Sequence, residues 1–249
     1  MGKTKVKIMK TLKFICIALA VFACTNPKPV NETEEIIIEA VAEGQSFNAA
    51  FLMIDGVYNS ELMAPYDIFQ HTIFHTEGGI NVFTVNETMD TVTTFEGLKL
   101  IPHYSFESPD LPEIDILVVP SAEHNMDSDL ENEKLINWVS KIGKKADYVM
   151  SLCDGAFVLA KAGLVDGKES TTFPTDIDRY RETFPELSVH ENVSFVHHDK
   201  LLTSAGGAKS YDVSLYLVHH LYGKNVAEGV GRGLVIDWNL SDYSFLRVE

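Results

Sequence analysis

One stretch near the middle of the chain leaves few folds open: Asp147-Tyr148-Val149-Met150-Ser151-Leu152-Cys153-Asp154-Gly155-Ala156-Phe157-Val158-Leu159-Ala160. A short apolar strand passes through a sharp turn straight into a helix, and Cys153 stands on the turn. Such an elbow sits at the carboxyl edge of a sheet, where α/β proteins bind their ligands. It lifts one side chain clear of that edge and aims a helix start at it. Both effects favour a thiolate over a thiol. Gly155 supplies the small residue that a strained turn needs. The competing reading is a buried, inert cysteine in an ordinary strand-to-helix connection.

The flanking sequence repeats the same alternation. Ala49 to Ile54, Ile80 to Val85 and Ile114 to Val119 are short apolar runs of the buried-strand type. Glu61 to His75 has helical spacing, with Pro65 placed near the first turn, and Asn132 to Ile142 reads as a second helix. Thr91 to Ile101 alternates as a hairpin with Glu96-Gly97 as its turn, and Leu164 to Lys168 is a turn. Thr175 to Phe184 reads as a polar helix, Val193 to Val196 and Leu201 to Thr203 as strands. Ser210 to Tyr222 and Val226 to Trp238 read as the last two helices. Strands alternating with helices predict a mainly parallel sheet covered on both faces.

The formal net charge of the 249 residues is −16. Lys3, Lys5, Lys7, Lys10 and Lys13 precede any acidic residue, so the remainder is more acidic still. Such a surface repels nucleic acid and anionic membranes. The lysines lead into the apolar run Phe14 to Ala23, about the length of a signal h-region and too short to span a bilayer. The run ends Val21-Phe22-Ala23-Cys24, which resembles a bacterial lipobox, although Phe22 is bulky for one. The expectation is a signal peptide over 1–23, a lipidated Cys24, a tether over 24–46 with Ile36-Ile37-Ile38 as its docking patch, and one domain over 47–249. An ordinary secretory signal or an uncleaved anchor is the alternative. Cys16 and Cys24 then belong to the leader and its anchor, leaving Cys153 as the domain's lone thiol. No disulfide framework, cysteine-based metal site or cofactor is expected.

The elbow through Lys161-Ala162-Gly163-Leu164-Val165-Asp166-Gly167 resembles the nucleophile elbow of the ThiJ/PfpI family, within the class I glutamine amidotransferase-like superfamily. Asp55-Gly56-Val57 with Glu61-Leu62-Met63-Ala64-Pro65-Tyr66-Asp67-Ile68-Phe69 is similar to that family's first strand, loop and helix. Leu202-Thr203-Ser204-Ala205-Gly206-Gly207 with Tyr211-Asp212-Val213-Ser214-Leu215 and His219 to Gly223 supplies a third match in the right order. The resemblance implies a flavodoxin-like three-layer sandwich and a homodimer. It makes Cys153 the reactive residue and Glu61 its acidic partner. A protonated carboxyl there can donate a hydrogen bond to the sulfur, with its own pKa raised by proximity to the anion. Amides of Asp154 and Gly155 at the helix start, and of Ser121 and Ala122 after Pro120, would form an anion pocket. Many relatives carry a histidine after a Thr-Thr pair; here Thr171-Thr172 is followed by Phe173, which transfers no proton. His124 is the substitute candidate. His197, His198, His219 and His220 read as strand-end or helix-surface residues.

Two functions compete. One is a cysteine–glutamate enzyme acting on a small electrophile by isonitrile-hydratase-like or glyoxalase-like chemistry, with peptidase activity disfavoured. The other is a ligand-binding or redox-sensing module related to the sensor domains of transcription regulators. A degenerate scaffold that keeps the elbow for packing is the bland alternative. The expected setting is bacterial and exported, periplasmic or on the cell surface. The expected partners are a small molecule and a second copy of the chain, with membrane contact only through the lipid anchor.

Overall fold

The computed structural model describes residues 38–248. The leader, Cys16, Cys24 and the Ile36-Ile37 part of the tether lie outside the described residues. The chain runs β1 (Ser46–Leu52), α1 (Asn59–His71), β2 (Gly79–Asn86), then a ribbon of β3 (Val92–Thr93) and β4 (Lys99–Leu100). It continues with β5 (Tyr104–Ser105), β6 (Ile116–Val119), α2 (Glu133–Lys145), β7 (Tyr148–Leu152) and α3 (Gly155–Lys161). Next come β8 (Glu169–Ser170), α4 (Ile177–Thr183), β9 (Ser188–Val189), β10 (Phe195–His198) and β11 (Leu201–Ser204). α5 (Lys209–Tyr222), α6 (Lys224–Gly233) and β12 (Phe245–Val248) complete it.

Eight strands form one sheet in the order β12-β10-β11-β7-β6-β1-β2-β5. Six of them, from β11 to β5, run parallel; β10 turns back against β11, and β12 runs beside β10. The two-residue period of β1 sorts its side chains between layers. Phe47, Ala49 and Phe51 pack with Leu62 and Phe69 of α1, Leu217 of α5 and Val230 of α6. Ala50 and Leu52 share the opposite core with Val139 of α2, Phe157 of α3 and Tyr180 of α4. The result is a flavodoxin-like α/β sandwich with a mainly parallel sheet.

The hairpin at Glu96-Gly97 forms as expected: Gly97 has φ +90°, and the Thr94 amide donates to Leu98 at 2.8 Å. Three details differ. α1 begins at Asn59, ahead of the expected Glu61, so Pro65 lies inside the helix and gives the Glu61 carbonyl no N–H. The last helix stops at Gly233, where the Ile236 amide returns to Gly231 at 2.8 Å, and the chain then makes the unexpected strand β12. Within residues 38–45, read as the end of a tether, Ile38 and Ala42 are buried against the fold while the others are exposed. The Val41 and Ala42 amides donate to His220 and Leu221, satisfying carbonyls at the end of α5.

The histidines of α5 also depart from expectation. His219 and His220, read as helix-surface residues, are buried, because every residue from Asp212 to Tyr222 is covered by the sheet and neighbouring helices. His220 Nε2 lies 3.2 Å from the Tyr148 hydroxyl, and His197 Nδ1 lies 2.8 Å from that of Tyr216. The His197 and His220 rings stand edge to face with centroids 5.0 Å apart. Burial lowers the pKa of both to about 4; the His220 charge also lowers His197, the His219 charge lowers His220, and Arg247 opposes both. A histidine held neutral in the fold stabilises it fully above its unfolded pKa of about 6.5 and loses that contribution as pH falls towards 4. We therefore expect acid to destabilise the domain across that interval, by about 3 kcal/mol from His197 alone. Urea titrations from pH 7.5 downwards check this, and His197→Phe should flatten the slope.

Candidate active site

Three loops at the carboxyl edge of the sheet converge on the elbow. Cys153 leaves β7 with φ +52°, the left-handed region that side chains rarely adopt. Its amide donates to the Ser204 carbonyl at 2.9 Å, pinning the turn to the end of β11. Two glycines make room for it. A Cβ on Gly155 would stand 2.1 Å from the Val119 carbonyl oxygen, and one on Gly206 would stand 2.3 Å from the Cys153 Cβ. The elbow can therefore sit this close to β6 and β11 only with glycine at both positions.

Glu61, in the first turn of α1, reaches the elbow across the β1–β6 edge. It is buried, and both its oxygens are held by backbone: Oε2 accepts from the Ser121 amide at 3.0 Å and Oε1 from the Gly207 amide at 3.1 Å. It also shares a hydrogen bond with Cys153. Burial raises the Glu61 carboxyl above the usual range, against the lowering effect of the two amides and the thiol. Burial also pushes the Cys153 thiol up, and the charges of Glu61 and Asp154 push it further the same way. Burial and the neighbouring carboxyls thus act against the thiolate that the elbow geometry favours.

The first loop is fixed at several points. The Gly56 amide donates to Thr93, and the Phe95 amide to Val57, tying the loop to the β3–β4 ribbon. Val57 bridges to Ala122 in antiparallel fashion, and the Tyr58 amide donates to Ser121. The Tyr58 ring stacks on Phe95 with centroids 4.5 Å apart, and its hydroxyl feels the charges of Cys153, Glu123, Glu61 and Asp154. An aromatic lip therefore overhangs the site. Sequence reasoning missed it, since Tyr58 carries no motif beyond its place three residues before Glu61.

The structure brings Cys153, Glu61, Asp154, Gly155 and Ser121 together, with several altered roles. The Ser121 amide, expected to be free for an anion, is taken by Glu61. The Ala122 amide is taken by the Asn125 side chain at 2.8 Å. What faces the sulfur instead is the Ser121 hydroxyl and the Asp154 amide. Thr172 lies against the elbow, its hydroxyl 3.0 Å from the Cys153 carbonyl and 3.1 Å from Asp154 Oδ1. Phe173 beyond it is exposed. His124 does not join the group. It pairs with Asp127 at 3.2 Å on the surface and faces a cavity of about 280 Å³ beside Asp55, Asn86 and Asn132. Among the described residues no group of three or more His, Cys, Asp or Glu side chains is placed to hold a metal ion.

The DJ-1/PfpI family model matches residues 48–220, most of the chain. The chain belongs to the DJ-1/PfpI family. It is 29% identical over 179 residues to the isonitrile hydratase of Pseudomonas putida, covering 72% of this chain and 73% of that one. It is 32% identical over 102 residues to the HTH-type transcriptional regulator CdhR of Pseudomonas aeruginosa, covering 41% of this chain and 30% of the regulator. The crystal structure of Drosophila melanogaster DJ-1beta superposes with a TM-score of 0.68 at 19% identity, over 78% of this chain and all of that one.

Gly155 provides a direct check on the packing of this DJ-1/PfpI elbow. Gly155→Ala should destabilise the domain by about 2 kcal/mol or more, because the new methyl meets the backbone of Val119. Thermal or urea unfolding of the two proteins reads the difference.

Proposed function

We propose that the protein is an enzyme that uses Cys153 and Glu61 on a small electrophilic molecule. Isonitrile hydration is the leading chemistry, and glyoxalase-like chemistry on dicarbonyls is its neighbour. The observation that carries this reading is the Glu61 carboxyl, gripped by two amides, buried, raised in pKa and hydrogen-bonded to a cysteine on a strained turn. A carboxyl kept protonated beside a nucleophile is a general acid. The 29% identity to an isonitrile hydratase supports the choice of substrate class.

For an isonitrile R–N≡C, the Cys153 thiolate would bond to the terminal carbon while that carbon takes the Glu61 proton. The product is a thioimidate, R–N=CH–S–Cys153. Water then adds to the same carbon, and the C–S bond breaks to release the formamide R–NH–CHO and the thiol. The Tyr58–Phe95 lip suits an apolar R group. Cys153→Ser should abolish formamide production from cyclohexyl isonitrile, and Glu61→Gln should lower kcat by about 10²- to 10⁴-fold. Turnover retained by both variants, tested on the isonitrile and on methylglyoxal, contradicts the reading.

A non-catalytic sensor is the second reading, favoured by the match to a transcriptional regulator. There Cys153 would be oxidised to a sulfinate beside Glu61. Export through a lipidated Cys24, and a homodimer, belong to either reading. Cells fed labelled palmitate should mark the wild-type protein and not Cys24→Ala.

A further inference from the structure

Among the described residues, the titratable side chains that face the Cys153 sulfur are all acids: Glu61 from α1, Asp154 from the elbow itself and Tyr58 from the first loop. Each opposes a negative sulfur when ionised, so a thiolate here depends on neutral donors. Ser121 carries one. The residue is 1% exposed, and its hydroxyl has no oxygen or nitrogen partner. A buried hydroxyl left in that state destabilises a fold, and the group this one lies against is the sulfur.

The backbone leaves that hydroxyl little freedom. The Ser121 amide donates to Glu61 Oε2 at 3.0 Å, and its carbonyl accepts from the Tyr58 amide at 3.0 Å. The next residue is held as firmly, since Ala122 bridges to Val57 and its amide donates to Asn125 Oδ1. From the other side, a Cβ on Gly155 would stand only 3.2 Å from the Pro120 carbonyl carbon, so the Pro120–Ser121 peptide packs directly on the elbow. Only rotation about the Cα–Cβ bond of Ser121 remains to aim its hydroxyl.

We propose that the Ser121 hydroxyl is a catalytic hydrogen-bond donor to the Cys153 sulfur, holding the thiolate in the resting site and receiving it again at release. The proposal rests on the reading of Cys153 as the nucleophile. The hydroxyl keeps its own proton throughout. The sulfur gives an electron pair to the C–S bond on attack and regains it when that bond breaks. Donation is therefore strongest at the two ends of the cycle and weakest in the thioimidate. Carbon keeps the proton taken from Glu61, while water supplies the formyl oxygen, one proton to nitrogen and one proton back to the Glu61–Cys153 pair. Nothing is oxidised or reduced. Ser121 thus serves the site twice, its amide fixing the acid and its hydroxyl the nucleophile.

The test is the pH dependence of Cys153 alkylation by iodoacetamide in the full chain, with Ser121→Ala set against the wild type. Peptide mapping by mass spectrometry reads Cys153 apart from Cys16 and Cys24. Alanine removes the hydroxyl alone and leaves the amide to Glu61 in place; Ser121→Gly gives the same reading if the alanine variant unfolds. The inflection of the rate should move up by about one pH unit, slowing alkylation about tenfold below the wild-type inflection. Above both inflections the rates should converge, which a merely structural serine would not give. The same displacement should appear when Ser121→Ala is added to Glu61→Gln, because the hydroxyl acts on the sulfur and not through the carboxyl. An unchanged inflection, or rates that differ equally at every pH, overturns the proposal. So does a wild-type Cys153 that resists alkylation throughout. Wild-type and Ser121→Ala proteins that show the displacement but turn over no isonitrile refute the substrate assignment and leave the role of Ser121 standing. Isonitrile turnover with an unchanged inflection does the reverse.

Discussion

The carboxyl of Glu61 is the point at which the site is tied together. It accepts amides from Ser121, 60 residues onward, and Gly207, 146 residues onward, while touching the thiol of Cys153. The loops after β1, β6 and β11 thereby meet around one buried acid at the elbow. Burial gives that acid its chemistry. Burial raises both the carboxyl and the thiol, and the Glu61 charge raises the thiol further, while the hydrogen bond with the thiol draws the carboxyl down. Reaction at the elbow is therefore tied to the position of the proton that the two groups share.

The sheet makes this arrangement possible by bringing backbone close to backbone. Gly155 lets the elbow approach the Val119 carbonyl, and Gly206 lets the loop after β11 approach Cys153. At the other end of the sheet, where β7 begins and β10 ends, the buried pair of His197 and His220 packs between sheet and α5. That end carries the acid sensitivity of the fold; the carboxyl edge carries the chemistry.

Much of this was legible in the sequence. Short apolar runs between helical stretches specified the parallel sheet, Glu96-Gly97 specified a hairpin, and the elbow and Glu61 marked the site. What was missed depends on contacts distant in sequence. Phe245-Leu246-Arg247-Val248 has no strand signal of its own and becomes β12 by pairing with β10. The α5 helix shows an ordinary apolar stripe at Val213, Leu217 and Leu221. Only the covering by α6 and the sheet decides that His219 and His220 are buried too. The direction of the Ser121 amide is likewise set by α1, so its use by Glu61 could not be read from the Pro120-Ser121-Ala122 loop. Asp154 was visible only as a backbone donor, because its side-chain setting is made by Thr172 and Asp176.

Membership of the DJ-1/PfpI family and the geometry of Glu61 lead to one physical claim: a protonated Glu61 beside Cys153 at neutral pH. Infrared difference spectroscopy of wild-type protein against Glu61→Gln tests it most directly. The account predicts a protonated carboxyl C=O band at pH 7 in the wild type that disappears in the variant. A wild-type spectrum with only a carboxylate band assigned to Glu61 at that pH would contradict it.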